Sequence, residues 1–307
     1  MHVKSNKFLH ILFMPMIKFC DYLGKKNPLL LTQLRYFERF HKFIDFRNPK
    51  TINEKIQWLK LKSDISEWTR LSDKYLVRDY IKECGCENNL VTLYGKWDNA
   101  NQIDFDLLPD SFVAKANNGC GSVLIVEDKQ LVNVEVIREK LNTWISTPFG
   151  ADGGEIQYLL IKPCIIVEEL LKLDTKDRNN STSLIDYKIW CFNGRPQYIM
   201  TCTNREKTSV ELLVYDLAWN VVPNSLKPNK TDRLGTSIPR PVLLDEMLAV
   251  ASKLAQPFPC VRVDLYCTDG KVYFGEMTFT SLGGMMDYYT PEFLLKLGNE
   301  IDLEYKL

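Results

Sequence analysis

Cys260-Val-Arg-Val-Asp-Leu-Tyr-Cys-Thr-Asp-Gly-Lys-Val-Tyr-Phe-Gly-Glu-Met-Thr-Phe-Thr280 reads as two strands around a turn. Apolar and polar residues alternate on both sides of Asp269-Gly270, the pattern of a half-buried hairpin. Taken as a three-residue turn with Gly270 at the φ > 0 position, Thr268-Asp269-Gly270 sets Arg262 opposite Glu276 and Cys267 opposite Lys271. Side chains alternate faces along a strand. Arg262, Asp264, Glu276 and Thr278 then share one face, and Val261, Val263, Leu265, Tyr273 and Met277 the other. A two-residue Asp-Gly turn would instead put Asp264 and Glu276 on opposite faces. The odd-numbered face is a core face, whereas the even-numbered face gathers two carboxylates, a guanidinium and a hydroxyl. Carboxylates in one cleft repel each other unless a cation holds them. A hard cation such as Mg²⁺ suits carboxylate oxygen and carries phosphates with it. The plainer reading of the same residues is a solvated face with an Arg–carboxylate pair.

The chain of 307 residues has room for one large domain or two lobes. Its 39 basic and 39 acidic residues cancel. That disfavours a nucleic-acid partner while leaving room for a local basic cleft. The 9 cysteines are scattered, and only Cys84-Gly-Cys86 is closely spaced, as expected of reduced thiols in a cytoplasmic protein. All 3 histidines, His2, His10 and His41, lie near the N-terminus. A site further along must work without imidazole, which disfavours Ser-His-Asp and Cys-His hydrolases and His-ligated zinc. Carboxylates, lysines, arginines and a bound metal remain. Phe8 to Ile17 is apolar apart from His10 and is shorter than the ~20 residues a spanning helix needs. It is read as packed on the protein. The alternative is peripheral contact through residues 1–30 with the inner face of the plasma membrane, because Lys4, Lys7 and Lys18 flank the run.

Along the rest of the chain, Thr51 caps a helix carrying Ile52, Ile56, Leu59 and Leu61. Ser72-Asp73-Lys74 opens a second helix, which ends at Gly85. Strands are expected over 89–93, 111–115, 123–126, 164–171 and 211–216. A hairpin of 184–192 and 196–203 turns at Asn193-Gly194. Helices are expected over 131–145, 242–255 and from Pro291, and loops over 174–183 and 223–240. The class is α+β.

Four further signals carry chemistry. Lys115 ends a strand and is followed by Asn117, Asn118, Gly119, Gly121 and Ser122. Glycines let backbone N–H groups approach phosphate oxygens, and lysine supplies a point charge. The loop fits neither the Walker A nor the G-x-G-x-x-G pattern; taken alone, an ordinary glycine turn is the plainer reading. Glu168-Glu169-Leu170-Leu171 places two carboxylates at the end of an apolar strand. They mark either a hinge whose backbone meets a purine or a strand end reaching water. Asp186 and Lys188 share one strand face, able to meet ribose or phosphate, or each other. Lys74 adds a helix lysine.

The order of these signals resembles the ATP-grasp fold and, more closely, the TupA-like ATP-grasp family of bacterial cell-surface polysaccharide biosynthesis. The resemblance spans roughly residues 45–300. It rests on Asn48–Lys60, Ser72-Asp-Lys-Tyr75, 112–122, Asp186–Gly194, Val261–Tyr266 and Gly275–Thr280. It implies two α+β lobes clasping a nucleotide, 67–165 and 166–307, with residues 1–66 as an N-terminal helical extension. It further implies that Lys74, Lys115 and the loop of Asn118, Gly119, Gly121 and Ser122 bind ATP phosphates. Glu168, Glu169 and Leu171 would meet adenine and Asp186 the ribose. Asp264, Glu276 and Thr278 would hold Mg²⁺, with Thr278 standing where many ATP-grasp enzymes have Asn. Arg262 and Lys188 would act in phosphoryl transfer. The activity implied is a carboxylate–amine ligase. Its expected substrates are a uronic-acid saccharide or nucleotide-sugar and an amino acid or amino sugar. A glycosyltransferase of the same pathway and a non-catalytic scaffold are the alternatives.

Overall fold

The computed structural model describes residues 18–227, 229 and 231–306; the apolar run Phe8–Ile17 lies outside them. The apolar runs of the sequence become two sheets. The smaller holds β1 (Leu93–Trp97), β2 (Phe112–Ala116), β3 (Val123–Val126) and β4 (Ile165–Glu168) in the order β1-β4-β2-β3, with every described pairing antiparallel. Phe112, Ala114, Ile165 and Val167 bury one face against Ile137 and Leu141 of helix α6 (Val134–Ser146).

The larger sheet has the order β10-β9-β5-β6-β7-β8. It comprises β5 (Asp186–Phe192), β6 (Arg195–Thr203), β7 (Val210–Tyr215), β8 (Asp232–Leu234), β9 (Cys260–Thr268) and β10 (Lys271–Thr278). Only β7 and β8 pair in parallel among the described strands. Helix α8 (Leu244–Ala255) packs across β5, β6 and β9. The class is α+β, as the sequence implies.

Ahead of the sheets come α1 (18–26), α2 (Pro28–Phe40), α3 (Ile52–Lys62), α4 (Ser66–Ser72) and α5 (Val77–Glu83). Thr51 caps α3 as expected, in a reciprocal capping box with Glu54. Ile52, Ile56 and Leu59 of α3 belong to the same core as the larger sheet. Two short elements complete the frame, α7 (Ile156–Leu159) and α9 (Pro291–Asn299). Helix α9 lies so close to the start of α3 that a Cβ on Gly298 would come within 2.0 Å of the Lys50 carbonyl.

The hairpin's register differs from the three-residue reading. Lys271 pairs with Thr268, so the turn is the two-residue Asp269-Gly270. Both residues have positive φ, 52° and 68°, the backbone that Asp-Gly favours because it matches the strand twist. Cys267 therefore faces Val272, and Val272 and Phe274 enter the core where Tyr273 was expected. A bulge at Gly275 then shifts the register by one. Past it, Glu276 faces Asp264 and Thr278 faces Arg262. The polar face is thus restored by the bulge.

Other expectations also shift. Ser72 ends α4 rather than opening a helix. Asp73 holds the turn after it, accepting from the Tyr75 and Leu76 N–H groups at 2.8 and 3.2 Å. Lys74 consequently sits on a turn. The strand expected at 89–93 begins only at Leu93, because Glu87–Asn89 forms a 3₁₀ turn. The loop over 223–240 contains β8.

Candidate active site

Asp264 stands at the centre of the β9–β10 face and is 2% exposed. Arg262 grips it with both ends of its fork, Nε to Oδ1 at 2.7 Å and Nη2 to Oδ2 at 2.8 Å. Lys188, on the neighbouring strand β5, donates to the same Oδ2; the register sets Lys188 directly beside Asp264. Burial alone would raise this carboxyl, but the two cations win and hold it below the usual range. In turn, and against the cost of burial, Asp264 and Asp186 hold the Lys188 ammonium above its ordinary value.

Arg262 also reaches Thr278 Oγ1 at 3.1 Å, Glu276 Oε1 at 3.5 Å and Ser281 Oγ at 2.5 Å. Its guanidinium lies 5.8 Å from the Trp190 ring centre. The Glu276 side chain, unlike Asp264, is 41% exposed. The hairpin face therefore brings Asp264, Glu276, Thr278, Arg262 and Lys188 together, with Asp186 3.8 Å from Lys188. Asp186 is also paired by Arg205, an arginine from beyond β6 that the sequence reading did not single out.

The second assembly lies on the smaller sheet. Glu168 does not reach solvent as a strand end would. It is buried and paired with Lys115 at 2.7 Å and with Arg78 of α5 at 3.0 Å. Glu169 faces outward and accepts from the Thr92 hydroxyl at 2.7 Å. Further along the chain, a cavity of about 430 Å³ is lined by Lys172, Leu173, Arg178, Ser181 and Thr182; Leu171 precedes it in the chain.

The Asn117–Ser122 loop is held at its root. The Asn117 side chain accepts from the Cys164 N–H at 2.7 Å and donates to the Lys162 carbonyl at 3.1 Å. Asn118 is buried, and Ser122 leads into β3. Gly121 has φ 78°, and a Cβ on Gly119 would press to 2.8 Å from the Phe149 ring. The Lys74 ammonium donates to the Gly119 carbonyl, which ties the turn after α4 to the loop. Burial lowers the Lys74 ammonium below its usual range, opposed by Glu276.

The chemistry of the donor set fits a triphosphate with its metal. Arg78, Lys115, Lys188, Arg205 and Arg262, together with Lys74, outnumber the carboxylates of Glu168, Asp186, Asp264 and Glu276. A polyanion is thus matched by cations already in place. Asp264 and Glu276 face each other with a hydroxyl alongside. Two carboxylates suit Mg²⁺ brought in with phosphates, rather than an all-protein cage. No cluster of three or more His, Cys, Asp or Glu side chains placed to hold a metal exists among the described residues.

A family model for TupA-like ATP-grasp proteins matches residues 54–302. The chain belongs to the TupA-like ATP-grasp family. Among curated proteins none matches the sequence. Solved structures that resemble it include a D-alanine–D-alanine ligase from Bacillus anthracis, 16% identical at TM-score 0.46, covering 76% of this chain and 67% of that one. A D-alanine–D-alanine ligase from Helicobacter pylori is 16% identical at TM-score 0.42, covering 82% and 67%. The ATP-grasp ligase PsnB complexed with a minimal precursor is 10% identical at TM-score 0.41, covering 81% and 67%. This TupA-like chain thus spans about two thirds of each.

Arg78 and Arg205, which complete ion pairs of the candidate site, and Ser281, which accepts a hydrogen bond from Arg262, went unread in the sequence. Each joins its partner from a separate element, and no local spacing announces it.

Proposed function

We propose that this TupA-like protein is an ATP- and Mg²⁺-dependent carboxylate–amine ligase. The observation that carries the reading is the Asp264–Glu276 pair, set face to face across the hairpin with Arg262 and Lys188 against it. In the reaction, a substrate carboxylate oxygen attacks the γ-phosphorus and the bond to the β,γ-bridging oxygen breaks, releasing ADP. An amine then attacks the acyl carbon of the acyl-phosphate. The C–O bond breaks, phosphate departs and the nitrogen loses a proton. Asp264, Glu276 and Thr278 would hold Mg²⁺, which neutralises phosphate charge when bound. Arg262 and Lys188, gathered on Asp264, would stabilise the transferred phosphoryl group. Lys74, Lys115 and the Asn118–Ser122 loop hold the remaining phosphates. In this reading Glu168, Glu169 and Leu171 meet the adenine and Asp186 the ribose, and the cavity lined by Lys172 and Leu173, just beyond Leu171 in the chain, supports a place for the base there. The work is charge neutralisation and positioning, and it needs no histidine.

The substrates are a uronic-acid saccharide or nucleotide-sugar and an amine donor, in bacterial capsule, O-antigen or teichuronic-type polysaccharide synthesis. The site of action is the cytoplasmic side of the plasma membrane. No helix among the described residues is long and apolar enough to cross a membrane. Peripheral contact is supported by an exposed apolar stripe of α2, Leu30, Leu34 and Phe37, with Phe43 stacked on Phe37 at 4.8 Å.

A thermal-shift titration with Mg²⁺ and a non-hydrolysable ATP analogue tests the nucleotide site. At ~100 times its dissociation constant the ligand stabilises the native state by about 2.7 kcal/mol. The shift should require Mg²⁺ and be lost in Glu276→Gln. A shift with nucleotide-sugar alone would move the reading to glycosyl transfer, and no shift with either ligand would leave a scaffold.

A further inference from the structure

The Asn117–Ser122 loop is held from outside its own strands as well as at its root. Phe149, in the connection between α6 and α7, lies against Gly119. A Cβ at Gly119 would come within 2.8 Å of the ring's Cγ and 3.1 Å of each Cδ. Near-equal distances to these three atoms mean that the ring meets the glycine with its face. Gly119 does not have the positive φ of Gly121, so glycine serves here for the space it leaves and not for its backbone angle. The Gly119 carbonyl accepts from the Lys74 ammonium. One residue of the loop is thus gripped by two side chains from separate parts of the chain.

The 150–155 loop puts Phe149 in place. Gly150 has φ 93°, a backbone suited to glycine, and its carbonyl accepts from the Glu155 N–H at 2.7 Å. The chain turns back on itself there and brings Phe149 against Tyr158 of α7. The two rings stand 5.0 Å apart with their planes at 89°, a favoured edge-to-face pair. Beyond the rings the segment is fastened twice. Lys60 of α3 donates to the Gly153 carbonyl at 3.3 Å. The Thr280 hydroxyl donates to Glu155 at 2.5 Å and accepts from Gln157 at 2.8 Å. Thr280 lies just past the end of β10 and next to Ser281, the acceptor for Arg262. Residues 149–158 therefore touch the glycine loop at one end and the root of the β9–β10 hairpin at the other.

Backbone N–H groups bind phosphate when they converge on it. A free glycine loop loses more conformational entropy than other sequences in reaching that shape. A ring set against Gly119 removes this freedom before the ligand arrives, which is how preorganisation raises affinity.

We propose that Phe149 is a positioning residue of the nucleotide site, whose ring holds Gly119 so that the Asn118–Ser122 loop is already shaped for phosphates. The 149–158 segment ties that shape to the hairpin carrying Asp264 and Glu276. The inference rests on the nucleotide reading above and adds to it a residue that acts through the loop alone.

Isothermal titration of the full chain with Mg²⁺ and the non-hydrolysable ATP analogue tests this in a double-mutant cycle. Phe149→Ala removes the ring, and Gly119→Ala drives a methyl into it. Each should weaken the Kd at least tenfold. In Gly119→Ala/Phe149→Ala the methyl enters the space that the ring has left, so the double variant should bind no more weakly than Phe149→Ala. Residues in contact show such coupling, whereas independent sites add in free energy; two tenfold losses would then multiply to a hundredfold. A general loss of packing would not produce this pattern. Phe149→Leu keeps an apolar side chain against Tyr158 and should lose affinity in the same direction, so the test stands even if Phe149→Ala folds poorly. Wild-type affinity in both Phe149 variants, or losses that multiply in the double variant, overturns the inference while leaving the nucleotide reading intact. A wild-type chain that binds no analogue fails the nucleotide reading and takes the role of Phe149 with it.

Discussion

Asp264 and Glu276 face each other across two strands but sit in different surroundings, and the difference decides what each substitution does. Asp264 is sealed under Arg262 and Lys188. Removing it strips two buried cations of their nearest counter-charge and leaves only the longer contacts to Asp186 and Glu276, a loss of about 3–5 kcal/mol. Glu276 is 41% exposed, and its one ion pair among the described residues is a 3.5 Å contact to Arg262. Substitution there should change stability by less than about 0.5 kcal/mol. Urea denaturation should thus show Asp264→Ala strongly destabilised and Glu276→Gln close to wild type, although both lose the Mg²⁺-dependent nucleotide shift. Equal stability of the two variants would contradict the sealed geometry. The sequence showed both carboxylates on one polar face, which would make Asp264→Ala nearly harmless. Their unequal burial comes from Lys188 on a strand some seventy residues away and could not be read from the hairpin itself.

At the scale of elements, the turn and the bulge have to be taken together. Asn193-Gly194 was legible as a two-residue turn, and both residues do have positive φ, 49° and 74°. Asp269-Gly270 carries the same signal, yet a two-residue turn there seemed to split the carboxylates. Gly275 resolves the conflict, since its bulge adds the one residue that returns Glu276 to the face of Asp264. A glycine inside a strand is the available signal for such a bulge or for a close approach of backbone. A Cβ at this position would lie 2.9 Å from the Asp264 carbonyl. Deleting Gly275 should leave a regular hairpin in which Glu276 still faces Asp264 and Thr278 still faces Arg262, because the residue removed is the extra one of the bulge. The deletion variant should keep the Mg²⁺-dependent nucleotide shift, whereas Gly275→Val, whose Cβ would press on the Asp264 carbonyl, should weaken it and unfold at lower temperature. A deletion variant that loses the shift would show that the site needs the bulge itself and not only the facing of its side chains.

For the molecule as a whole, the ATP-grasp fold was legible as an order of motifs, whereas the attachment of the N-terminal helices was not. We propose that residues 67–165 and 166–307 act as the two lobes, with 1–66 as an extension whose last helix is built into the larger core. Helix α3 supplies Ile52, Ile56 and Leu59 to that core. Its Asn53 exchanges two hydrogen bonds with the Met286 backbone, and Lys55 reaches the Ile301 carbonyl at 2.7 Å. These contacts join residues more than two hundred positions apart, so no local pattern could reveal them. Burying each apolar side chain is worth roughly 1.5–3 kcal/mol. Three of them make up a large part of a domain's total of roughly 5–15 kcal/mol. Removing residues 1–66 should therefore leave no cooperative unfolding transition. Removing only 1–43 spares α3 and takes away α1, α2 and the exposed stripe of Leu30, Leu34 and Phe37. That shorter deletion should keep the nucleotide shift at a lower Tm and abolish co-sedimentation with vesicles of anionic phospholipid. Full-length protein that fails to sediment with such vesicles removes the membrane contact. A folded, nucleotide-binding 67–307 fragment would make α3 dispensable and return the extension to the appendage that its sequence suggests.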